Sequence, residues 1–133
     1  MASILRVNTI TDASSNNSVA MSVVSNGSAK AWISFDGSAG TPAAIDSFGT
    51  STLTDNGTGD QSQTLTSAMA NASYIHSGSA GVNDGSGSAV SLRNYGYNTA
   101  RTQSTTVYNI NTAYDNSNAI NSYVVSVVHG ELA

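Results

Sequence analysis

The side chains best suited to proton transfer or metal ligation near neutral pH are two histidines, His76 in "SYIHSGS" and His129 in "SVVHGEL". Each stands alone in a strand-like run. Neither belongs to a ligand motif with the spacing that zinc or other transition metals require. Both read as ordinary strand histidines, with convergence of several copies on an ion at a symmetry axis as the alternative. Calcium would use carboxylate and carbonyl oxygens from "FDGSAG" (35–40), "TDNGTGD" (54–60) or "NDGSG" (83–87). None has the alternating acidic spacing of a one-loop site, and turn chemistry accounts for all three. Serine is abundant, yet "GSGSA" (85–89) precedes no helical pattern and so makes no nucleophile elbow. No catalytic residue, metal or cofactor is expected, and the chain is not expected to be an enzyme.

Binding chemistry is concentrated in two places. "RNYGYNTAR" (93–101) brings Asn94, Tyr95, Tyr97 and Asn98 together around Gly96, with Arg93 and Arg101 at its ends. Tyrosine and asparagine beside glycine make adaptable contacts at low entropic cost. Those four residues are the receptor-binding candidates, against the plainer reading of aromatic packing at a strand end. The only Trp, Trp32, lies in "AKAWISFDGSAG" between small alanines that let a neighbour approach. It reads as a core or subunit-interface anchor, in preference to a sugar-stacking platform.

Composition narrows the classes of function. The 133 residues suffice for one domain, are 39% hydrophobic and only 9% charged, and carry a net charge of −4. Disordered chains usually combine low hydrophobicity with high net charge, so a folded β-protein is expected. The four basic residues are scattered, which excludes the phosphate-neutralising cluster of a nucleic-acid binder. No apolar run approaches the ~20 residues of a membrane span. "MASILRVNTITD" has neither the basic nor the apolar region of a signal peptide. Cysteine is absent, so packing or oligomerisation must supply stability.

The elements that must position these residues are short strands. Helical periodicity is missing, whereas alternation with turn signals every eight to twelve residues recurs. "SILRVNTI" (3–10) is extended and "TDASSNNS" (11–18) a polar turn. "VAMSVVS" (19–25) is a strand that Asn26-Gly27 closes as a type I′ turn. In "SAKAWISF" (28–35), Lys30, Trp32 and Ser34 face one way and Ala31, Ile33 and Phe35 the other. "AAIDSFGTSTLTDNG" (43–57) kinks near Gly49 and enters a hairpin with Asn56-Gly57 at its tip. "QTLTSAM" (63–69) returns with Leu65 toward the core. Later strands are "ASYIHSGSA" (72–80), "AVSLRNYGYN" (89–98), "QSTTVYNINTA" (103–113) and "SYVVSVVHGE" (122–131), the last the most apolar and therefore central. The expectation is an all-β, single β-sandwich-like domain over 28–133, preceded by a short extended N-terminal arm over 1–27.

Several of these segments together resemble a module of marine bacteriophage tail-fibre and tail-appendage proteins. The matching stretches are Ala29-Lys30-Ala31-Trp32, the Asp36-Gly37 turn, Ile45-Asp46-Ser47-Phe48, Thr54 to Asp60, Met69-Ala70-Asn71-Ala72-Ser73-Tyr74 and the closing "SYVVSVVHG". The opening "ILRVNTITDASS" is similar to segments that start many such fibres. Many relatives carry a longer shaft before the Trp strand, so the resemblance implies a short appendage here. It further implies a homotrimeric, non-enzymatic virion protein, assembled in the host cytoplasm. Its arm, with Ile4, Leu5, Val7 and Ile10, would attach to other tail or capsid proteins, and its far loops would meet a host surface glycan or protein. A capsid decoration or head-fibre protein, and a stand-alone carbohydrate-binding module, are the alternatives.

Overall fold

Strict alternation builds the centre of the molecule. In β3 (Ala29–Asp36) Ala31, Ile33 and Phe35 are buried, while Lys30, Trp32, Ser34 and Asp36 stand on the opposite face and are only half-buried. The computed structural model describes residues 6–14, 17–81, 91–93, 103–113 and 120–133. Among them are ten strands and one short helix.

Eight of the strands form two antiparallel four-stranded sheets. The first runs β4 (Ala43–Phe48), β3, β10 (Tyr123–His129), β7 (Ile75–Gly81). The second runs β5 (Thr50–Gly57), β6 (Asp60–Leu65), β9 (Val107–Ala113), β8 (Ser91–Arg93). Ile33, Phe35, Val124 and Val128 from the first sheet meet Leu65, Tyr108 and Ile110 from the second, and Met69 and Tyr74 complete the cluster. The fold is therefore all-β and sandwich-like. The most apolar strand, β10, lies inside its sheet between β3 and β7, where both of its edges are hydrogen-bonded.

The chain crosses between sheets at Gly49. Its φ of 68° lies in the left-handed region, and a Cβ there would fall 2.4 Å from the Lys30 carbonyl oxygen. The kink expected near Gly49 is thus a corner, with β4 in one sheet and β5 in the other. The next hairpin turns at Thr58-Gly59 and not at Asn56-Gly57, since Gly57 pairs with Asp60. The Asp55 carboxylate accepts the Gly57 N–H, which holds Asn56 inside β5 and leaves Gly59, at φ 64°, to make the turn.

The N-terminal segment departs from expectation. β1 (Thr9–Thr11) and β2 (Ser18–Ala20) form a separate two-stranded sheet, joined across the polar turn. The expected strand over 19–25 stops at Ala20, and Met21–Gly27 form a helix, α1. Among the described residues only β1 pairs with β2, so a longer strand would leave backbone groups unpartnered. A helical turn satisfies them locally, ending with the Ser28 N–H on the Val24 carbonyl. Neither strand and no part of α1 contains a buried residue.

Candidate assembly surface

The outer face of the first sheet carries an unusual load of large apolar side chains. Register fixes its rows. Phe48, Trp32, Val127 and Ser77 face one another across the four strands. Asp46, Ser34, Val125 and Ser79 form the next row, followed by Asp36, Tyr123 and Gly81. At the other end His129 stands opposite Ile75. Phe48 is 57% exposed, Val125 52% and Ile75 67%. Opposed residues on one face lie close enough to touch one another, which makes this apolar group a candidate contact site.

This arrangement corrects one half of the expectation for Trp32. Its ring is absent from the core, whose largest side chains are Tyr108 and Phe35. Trp32 lies instead on the outer face, directly between Phe48 and Val127. The reason is parity. Ala31, Ile33 and Phe35 fit the narrow space between the sheets, and the alternate positions must then face outward.

The charged groups of this face are engaged locally. Asp36 Oδ1 accepts the Ser38 N–H at 2.8 Å and the Ser38 hydroxyl at 2.5 Å. The Ser38 hydroxyl holds the Asp36 carboxyl below its ordinary pKa, with smaller help from the Ser38 N–H and the Tyr123 hydroxyl against desolvation. The Tyr123 phenol is raised in turn, because it shares its proton with Asp36 and would place a second negative charge beside it. In the first two Asp-Gly loops the carboxylates of Asp36 and Asp55 thus serve the turn itself. The third loop, 83–87, lies outside the described residues. Lys30 Nζ donates to the Ser25 carbonyl and to Ser28 Oγ, tying the end of α1 to β3.

A cleft of about 340 Å³ opens beside this face, at the Gly49 corner. Leu65, Met69, Phe48 and Leu132 line it, with Thr66 and Lys30 also on its wall.

The two histidines occupy adjacent strands but opposite faces. His129 is on the outer face. His76 is buried, opposite Val128 on the core side. Burial lowers the His76 pKa, opposed by the Gln103 side chain. Among the described residues no hydroxyl or carboxylate is hydrogen-bonded to either His76 ring nitrogen. Tyr74 and Tyr108, buried nearby, have phenols pushed up to about 12 by desolvation. The two histidines therefore form no shared site within one chain.

Sequence reasoning missed a polar layer. Gln61 and Gln63 face the core from β6, and Asn109 and Asn111 are buried on the other side of β9. β9 is buried on both faces from Tyr108 to Ala113. The receptor-binding candidates Asn94, Tyr95, Tyr97 and Asn98 lie outside the described residues, as do Ile4 and Leu5. Val7 and Ile10 are exposed at 39% and 52%.

Comparison with known proteins matches no family model, no curated protein and no solved structure.

Proposed function

We propose that this protein is a structural subunit of a short, homotrimeric virion appendage that contributes to host-surface attachment. The observation that carries self-assembly is the outer face of the β4-β3-β10-β7 sheet, where Phe48, Val125 and Ile75 are exposed and Trp32 and Val127 are only half-buried by their own chain. Covering such a face with another copy removes apolar area from water at roughly 25 cal/mol per Å². The number of copies and the virion setting come from the resemblance of "AKAWISFDG" and "TDNGTGD" to phage tail modules. Three weak surface contacts on one trimer, repeated around a particle, would give avidity that one contact lacks.

One arrangement favours a second reading. Trp32 and Phe48 are neighbours on a flat face bordered by the carboxylates of Asp36 and Asp46. Aromatic faces beside hydrogen-bond acceptors also suit a sugar ring, as a carbohydrate-binding module would use them.

Native mass by light scattering separates the two. The appendage reading expects a mass near three chains of 13.5 kDa, falling to one chain in Val125→Asp with the circular dichroism unchanged. A folded single chain at every concentration would sink the trimer. Glycan binding by that single chain, lost on Trp32→Ala, would then favour the free module.

A further inference from the structure

The N-terminal hairpin has an apolar side that the described residues leave about half exposed. Ile10 and Val19 are direct cross-strand partners, so their side chains stand together on one face. They are 52% and 43% exposed. An isolated two-stranded hairpin is marginal in water and needs a surface to pack against.

The cleft at the Gly49 corner has the complementary character. Leu65 and Met69 are core residues reached from outside, and Phe48 and Leu132 offer further apolar wall. An apolar cavity of roughly 150 Å³ holds one benzene ring. About 340 Å³ is therefore room for two branched aliphatic side chains.

We infer that the hairpin of one copy seats Ile10 and Val19 in the cleft of a neighbouring copy. The inference rests on the self-assembling reading above and specifies one of its contacts. The arm's own root argues for exchange between copies. Lys30 is on the cleft wall, and its ammonium fastens the Ser25 carbonyl and Ser28 Oγ there. From that point α1, seven residues and so about 10 Å long, leads back to the hairpin, and neither Ile10 nor Val19 lines the cleft of its own chain. Ile10 and Val19 are exposed in the single chain. Each copy then gives one arm and receives one, a heterologous contact that closes into a ring when the rotation permits.

The absence of cysteine makes the test direct. Ile10→Cys and Leu132→Cys are co-expressed as separate chains, one carrying a size tag, and mildly oxidised. A disulfide-linked pair of tagged and untagged chains is expected on a non-reducing gel, and reduction removes it. Ile10→Asp, at an exposed position, is expected to weaken association about ten-fold or more without altering the circular dichroism of the monomer. A multi-copy native mass with no cross-link, or one left unchanged by Ile10→Asp, overturns arm exchange and leaves self-assembly through the sheet face standing. A cross-link formed only within one chain of the Ile10→Cys, Leu132→Cys double variant also overturns it. A single-chain native mass for the unmodified protein overturns both.

Discussion

The imidazole of His76 leans on the ring of Tyr108, with centroids 5.1 Å apart and planes inclined at 41°. This contact joins β7 of one sheet to β9 of the other. Both groups can ionise, and both are held neutral by the same dry environment. Stability should therefore fall at both ends of the pH scale, for separable reasons.

On the acid side, the folded protein holds the His76 pKa below the ordinary 6.5, chiefly by burial. Above pH 6.5 both folded and unfolded chains keep His76 neutral, and its contribution is fully present. As pH falls through 6.5 toward the folded value, only the unfolded chain takes up the proton, and stability is lost. Urea unfolding at pH 8, 7, 6 and 5 is expected to show this decline. His76→Phe, which keeps a ring against Tyr108, should flatten it. An equal decline in the variant would assign the effect to other groups.

On the alkaline side, the Tyr108 phenol is raised from 10 to about 12 by burial, with the Ser126 hydroxyl opposing. Between those values the unfolded chain ionises first and stability falls. Two units correspond to about 2 to 3 kcal/mol once the pH passes the folded value. Ultraviolet titration of the six tyrosines should find a late-ionising fraction. Tyr108→Phe should remove part of it and make the alkaline loss of stability shallower.

Gly49 should tolerate no side chain. Alanine there combines a left-handed backbone with a clash against the Lys30 carbonyl. Gly49→Ala is expected to cost about 1 to 3 kcal/mol or more. Gly40→Ala, whose Cβ would meet nothing within 4 Å, should cost far less. Equal unfolding midpoints for the two variants would contradict the corner geometry.

Gln63 is 1% exposed, and among the described residues its Oε1 finds no hydrogen-bond partner, although Nε2 donates to the Thr64 carbonyl at 3.1 Å. Replacing an under-satisfied buried amide with an apolar chain of similar size removes a desolvation cost. Gln63→Met is expected to leave stability unchanged or raise it by about 1 kcal/mol. A loss of more than ~2 kcal/mol would mean that the amide is fully bonded.

Trp32 reports on the outer sheet face because it is the only Trp. If copies cover that face, its fluorescence should move to shorter wavelength as protein concentration rises. The shift should disappear in Val125→Asp, whose substitution is on the same face. An emission maximum constant across the association range would place the contact elsewhere.

Local patterning determined much of this fold. Alternation in "AKAWISF" separates Ala31, Ile33 and Phe35 from Trp32 because side chains on a strand must point to opposite faces. Leu65 reached the core, and β10 took an interior position, as their apolar sequences require. That Tyr74 and His76 share the face opposite Ile75 likewise follows from period two, and packing turned that shared face inward. What one strand's pattern cannot contain is what lies across from it. Tertiary packing decided that the face with Ala31 is the dry one, leaving Trp32 outside among Phe48, Val127 and the exposed valine of β10. It decided that Met21–Gly27 coil into a helix, because pairing partners for a longer strand are a property of other segments. It also buried Gln61, Gln63, Asn109 and Asn111, which look like surface residues in the sequence. The cleft beside Gly49 exists only where the ends of both sheets, residues 67–69 and the C-terminal Leu132 meet.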